Sequence, residues 1–198
     1  MFTVYYVLVG IVAFFIAALV LGAWLRAHRT KDSAEKSSRV MHFFFFAGVV
    51  VPPIIGIFYP GLTRFDALLG LPSLPFKPFF LALGIILAIP GLYFLGVTNK
   101  LLRALGSGTN AFILTKRIVD DDIYKRTRNP MSLGFYLFAL ALAFASSSTF
   151  VLLAVSLGLI PAHAFFLKYF EELELELRFG ESYLEYKRTV PFLIPRIG

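Results

Sequence analysis

The stretch MSLGFYLFALALAFASSSTFVLLAVSLGLIPAHAFFL, Met131–Leu167, decides the fold. It carries no formal charge, and as one straight helix its 37 residues would extend about 55 Å. A bilayer core is about 30 Å thick, so one helix is too long and two short spans fit. The polar run Ser146-Ser147-Ser148-Thr149 near the middle supplies the break. The stretch therefore predicts a helical hairpin. Upstream, Pro78–Asn99 is a charge-free span in which Pro90 predicts a kink, and Val40–Leu62 is another, with His42 near its start and Pro52-Pro53 within. The proline pair deletes backbone donors in mid-span and predicts a kink. Met1–Leu25 is the first span. It suits a signal peptide poorly, since its apolar part is too long and no basic segment precedes it. The expected fold is all-α, a polytopic integral membrane protein of about five transmembrane helices with a C-terminal cytosolic helix.

Composition agrees with a bilayer as solvent. Of 198 residues, 58% are apolar and only 16% charged, with mean hydropathy +0.78. A soluble globule or a disordered chain does not have this balance. There is no cysteine, so thiolates and disulfides play no part. The three histidines, His28, His42 and His163, lack metal-ligand spacing, and no metal site is expected. The net charge of +7 reads as loops facing anionic lipid, with membrane lipids and no nucleic acid as partners. Nothing in the sequence fixes the oligomeric state.

Counting Lys and Arg orients the spans. Arg26, Arg29, Lys31, Lys36 and Arg39 crowd the first loop, and Lys100, Arg103, Lys116, Arg117, Lys125, Arg126 and Arg128 crowd the segment after the third span. The Pro60–Lys77 loop holds only Arg64 and Lys77, and the serine turn holds neither residue type. The positive-inside rule places the N-terminus outside and the C-terminus in the cytoplasm.

Two polar segments flank the hairpin. In the first, Gly106-Ser-Gly-Thr-Asn110 suits a sharp turn or a close ligand approach, and also suits a plain loop. Asp120-Asp-Asp122 next to Lys125-Arg-Thr-Arg128 switches charge just before a span. In the second, Phe166, Phe170, Leu173 and Leu177 form one apolar stripe with Glu171, Glu172, Glu174 and Glu176 on other faces. Glu174 and Arg178 are spaced to pair, while Glu172 and Glu176 are spaced to repel. A carboxylate cluster at a membrane edge is costly unless it is paired or binds a cation; a solvated helix face is the alternative.

Together the two segments resemble the isoprenylcysteine carboxyl methyltransferase and phospholipid methyltransferase superfamily. Asp122-Ile-Tyr-Lys-Arg-Thr-Arg-Asn-Pro-Met131 is similar to its G-x-Y-x-x-x-R-[HN]-P-M-Y signature. Glu171-Glu172, Phe179-Gly180, Tyr183, Tyr186 and Val190-Pro191 fall on its E-E-x(6)-F-G-x-x-Y-x-x-Y-x-x-x-V-P ending. Gly106–Asn110 is similar to a G-x-G-T element that precedes the first signature. The resemblance covers roughly residues 95–198. It implies a membrane methyltransferase that uses S-adenosylmethionine on a lipophilic acceptor entering from the bilayer, isoprenylcysteine-like or lipid, with its site facing the cytosol. Composition and the charge-free stretches predict one domain over 1–198 with three spans in 1–99, and the resemblance implies a cofactor-binding core in 100–198. Residue by residue, it places Tyr124, Arg128, Asn129, Pro130, Met131, Glu171, Glu172, Tyr183 and Tyr186 at the cofactor, and Arg128, Asn129 and Glu171 at the catalysis.

The chain departs from the signature at Asp122, which replaces glycine, at Ser132, which replaces tyrosine, and at Asn129, where the prenylcysteine enzymes have histidine. No titrating base stands at that position. Leu167 and Lys168 occupy the region where those enzymes carry an arginine. Rival readings are a sterol-type membrane reductase using NADPH, which shares R-N-P-x-x-x-G (Arg128 to Gly134), and a non-catalytic membrane scaffold. His163, inside the fifth span, reads either as a base near the acceptor or as an interhelical hydrogen-bond partner.

Overall fold

The computed structural model describes residues 1–105 and 115–196; Gly106–Asn110 lies outside the described residues. Helix α1 (Phe2–Ala27) turns through His28 into α2 (Lys31–Phe45). Thr30 caps α2 by accepting from the Ser33 N–H at 3.1 Å, so most of the basic first loop is helical and lengthens the second span at its start. That span continues through a π turn, Phe46–Val50, into α3 (Val51–Phe58). The widened turn lies just before Pro52-Pro53. The helix runs on through both prolines, with the π turn as its break in register.

A short α4 (Phe65–Leu69) leads to α5 (Lys77–Leu105), which runs through Pro90 unbroken. The hairpin follows as α6 (Pro130–Ser146) and a second rod. That rod comprises α7 (Thr149–Leu153), a π turn at Ala154–Leu159, α8 (Ile160–Phe166), a further π turn at Leu167–Glu171 and α9 (Glu172–Phe179). Its turn sits at the serine run: Ser147 is left-handed with φ 51°, and Ser148 caps α7. Gly180, at φ 59°, reverses the chain into α10 (Glu181–Thr189). Among the described residues, four rods are long and apolar enough to cross a membrane: Phe2–Ala27, Lys31–Phe58, Lys77–Leu105 and Thr149–Phe179. With the shorter apolar α6 they give the expected all-helical, five-segment membrane architecture.

The core lies between α1, α2 and the second rod of the hairpin. Phe14, Ala18, Leu25, Met41, Phe170 and Leu173 are buried together, and Phe166 and Leu177 pack against them, as the apolar stripe predicts. Close crossings use glycine. A Cβ added to Gly10 would stand 2.3 Å from the Gly48 carbonyl oxygen, so α1 meets the first π turn backbone to backbone. Helix α5 packs chiefly on α6, and its far face presents Ile85, Ile86, Ile89 and Leu92 outward, as a lipid-facing surface does.

Candidate functional site

The N-terminal turn of α6 and the C-terminal end of the second rod meet, and this brings the two signatures into one cluster. Pro130 occupies the first turn of α6, where its missing N–H costs nothing, and it is fully buried. Met131 follows, half-buried. Arg128, just before the helix, reaches back to Glu172. Its Nη1 stands 3.1 Å from Glu172 Oε1, with both side chains under one-tenth exposed. Lys168 Nζ approaches the same oxygen at 3.1 Å, and Lys187 Nζ holds the other, Oε2, at 2.8 Å. Three cations thus converge on one carboxylate.

That ring of charge answers how Glu172 and Glu176 coexist one turn apart. Lys187 also lies 2.6 Å from Glu176 Oε1 and joins the two carboxylates. Burial pulls the Lys187 ammonium downward, but its hydrogen bonds to Glu172 and Glu176 outweigh burial and hold it above the ordinary lysine value. Glu174 and Arg178 pair as their spacing predicts, at 2.7 Å and almost completely buried. Arg178 additionally donates to the Thr115 carbonyl.

The tyrosines wall this cluster. Tyr186 donates its hydroxyl to the Tyr124 carbonyl at 2.8 Å, tying α10 to the first signature. The Tyr183 and Tyr186 rings lie 6.3 Å apart. Burial first, and neighbouring negative charge second, raises the phenols of Tyr124 and Tyr183, and burial raises that of Tyr186, so all three stay neutral donors at ordinary pH. Asn129 opens α6, but its side chain does not cap the helix. Its Nδ2 donates to the Phe192 carbonyl at 2.9 Å.

Among the described residues, the buried side-chain polar atoms without a hydrogen-bond partner are Asn99 Oδ1, Arg178 Nε and two atoms of Arg128. Arg128 Nε and Nη1 are buried donors without an aligned acceptor; the Glu172 contact at 3.1 Å is an ion pair whose N–H is not aimed. The Glu171 carboxylate has neither a hydrogen bond nor an ion pair among the described residues. An anionic group would complement the Arg128 donors, and a cationic or hydroxyl group the Glu171 carboxylate.

His163 takes the interhelical form: its Nδ1 lies 2.9 Å from the Tyr136 hydroxyl, joining α8 to α6. Its ring is enclosed by Phe14, Phe45, Phe135 and Phe166. Lys168, Lys187 and Phe192 are the members of the cluster that the sequence reading left out. The first was legible as the residue one turn before Glu172.

Compared with known proteins, the chain matches the model of the phospholipid methyltransferase family over residues 79–182, a segment that holds α6, the second rod, Arg128, Lys168 and Glu172, while Lys187, Tyr183 and Tyr186 lie beyond it. No curated protein and no solved structure matches it.

Proposed function

Because this chain belongs to the phospholipid methyltransferase family, we propose that it is an integral membrane enzyme that moves a methyl group from S-adenosylmethionine to a lipophilic acceptor. Two observations support the reading: buried Arg128 donors are left without an aligned acceptor, and Glu171, next in sequence to the Glu172 that Arg128 meets, makes no hydrogen bond or ion pair among the described residues. S-adenosylmethionine has a carboxylate, an ammonium group and ribose hydroxyls, which are the complements of those two side chains. When bound, it supplies a methyl group on a sulfonium, for in-line displacement by the acceptor.

The protein's own part is alignment and electrostatics. Arg128 offers its free N–H groups to a carboxylate. Glu171 accepts from ammonium or hydroxyl groups. Glu172 keeps Arg128, Lys168 and Lys187 in place, and so shapes the cluster rather than meeting the ligand. Tyr124, Tyr183 and Tyr186 provide ring faces able to hold a sulfonium or stack on a purine. Pro130 and Met131 start the helix that aims Arg128.

The acceptor comes from the bilayer, a lipid or an isoprenylcysteine-like molecule, and the Lys and Arg distribution supports a site facing the cytosol. The test is calorimetry on the detergent-solubilised chain with S-adenosylmethionine and NADPH in separate titrations, followed by radiolabelled methyl transfer to a lipid extract and to prenylcysteine mimics. Binding of S-adenosylmethionine alone, with label entering the lipid phase, is the expected result. NADPH binding, or neither cofactor with no transfer, overturns it.

A further inference from the structure

The segment after α10 lies along the first signature and is laced to it. The Arg128 N–H donates to the Pro191 carbonyl at 2.9 Å, and the Arg196 N–H donates to the Arg126 carbonyl at 3.0 Å. Thr127, wholly buried, donates its hydroxyl to the Leu193 carbonyl at 2.9 Å. Asn129 closes the row through Phe192. Each residue from 126 to 129 thus holds a residue of the terminal segment. The side chain that this lacing places at the cluster is Phe192. The Lys168 ammonium sits 4.3 Å from the centre of its ring, and the Arg128 guanidinium 5.8 Å. These are the two cations that share Glu172 Oε1.

We propose that Pro191–Arg196 is a strap that completes the proposed cofactor site. In it Phe192 is the positioning residue that keeps Arg128 and Lys168 converged on Glu172, and Asn129 acts by clamping the strap. The proposal rests on the cofactor reading above and extends it to residues beyond the matched segment. A ring face beside two like charges draws both toward itself and lessens the freedom of each to swing away. The clamp at Asn129 then supports cofactor affinity, and its amide does not meet the reacting atoms.

Two readouts on the full-length chain test this. Hydrogen exchange follows the strap with no cofactor present: Asn129→Ala is expected to speed exchange across residues 190–196 about three- to tenfold, the opening expected from one lost hydrogen bond. Calorimetry follows affinity for S-adenosylmethionine. Phe192→Leu is expected to weaken it about fivefold, Phe192→Tyr to restore it, and Asn129→Ala with Phe192→Leu to be no weaker than the worse single variant. Unchanged exchange at 190–196, additive losses of affinity, or wild-type affinity in Phe192→Leu overturns the strap. Absence of binding by the wild type removes the cofactor reading and the role of Phe192 with it, which the Phe192→Leu result cannot mimic. If Asn129→Ala is not recovered as a monodisperse species, Thr127→Val removes the neighbouring strap bond and is read by the same criteria.

Discussion

Lys187 Nζ stands 2.8 Å from Glu172 Oε2 and 2.6 Å from Glu176 Oε1, and so bridges two carboxylates that would otherwise repel along one face of α9. The lysine comes from α10, across the left-handed turn at Gly180. The bridge makes the docking of α10 a charge-dependent contact.

Replacing it with Lys187→Met is expected to cost about 1 kcal/mol, since the ammonium is partly open to solvent. The sign of the pH dependence follows from the raised lysine value. Its stabilisation is fully present below the unfolded value of roughly 10.4 and is lost as pH climbs through the higher folded value. Thermal unfolding of wild type and variant should therefore differ fully at pH 8 and converge in strong alkali. A gap that persists or widens there would count against the bridge.

Arg26 locks the first span to the turn that presents the acidic pair. It donates to the Tyr169 and Gly22 carbonyls at 2.8 Å each, and its guanidinium lies 3.7 Å from the centre of the Tyr169 ring. Gly22 leaves room for that ring, because a Cβ there would stand 2.7 Å from Tyr169 Cδ1. Gly22→Ala is expected to destabilise by about 1–3 kcal/mol through overpacking. In a Tyr169→Ala background the same change should cost little. Chemical denaturation of the four proteins in the cycle measures this, and an equal cost in both backgrounds refutes the lock.

The sequence made the one-dimensional features legible. Absence of charge marked the spans, the serine run marked the hairpin turn, and four-residue spacing marked the Glu174–Arg178 pair. It hid whatever depends on distant chain or on backbone register. Arg26 and Tyr169 are 143 residues apart, and Lys187 reaches Glu172 only because Gly180 reverses the chain. The π turns at Phe46–Val50 and Leu167–Glu171 have no residue pattern of their own, yet they set which face each later residue takes. The Lys and Arg count used the Pro60–Lys77 loop only for its paucity of charge, and so passed over Asp66.

Asp66 caps a helix from another part of the chain. Buried, it accepts from Ser148 Oγ at 3.0 Å and from the Thr149 and Phe150 N–H groups at 2.8 Å, and so closes the N-terminal end of α7. Asp66→Ala strands these donors and is expected to cost about 2–4 kcal/mol, and Asp66→Asn less, because one oxygen still accepts. The cap lies at the far end of α6 from Arg128, about 25 Å away along the helix. Melting temperature should fall while cofactor affinity holds. A matching loss of affinity would show the two ends of the hairpin to be coupled.

The α5–α6 contact is closely packed at three glycines along its length. Added Cβ atoms would stand 2.8 Å from the Ala141 carbonyl oxygen at Gly84, 2.9 Å from the Phe138 nitrogen at Gly91, and 2.8 Å from Phe94 Cβ at Gly134. Two of these obstacles are backbone and cannot swing aside, so alanine at any of the three should force the helices apart at about 1–3 kcal/mol each. The consequence for the site depends on position. Gly134 lies one turn from Pro130 and Gly91 faces it, whereas Gly84 packs near the serine turn. Gly134→Ala and Gly91→Ala should therefore lower both melting temperature and affinity for S-adenosylmethionine, and Gly84→Ala melting temperature alone. Equal affinity losses at all three would mean that α6 moves as a rigid rod, and that its N-terminal turn is not the part that the close packing with α5 aims.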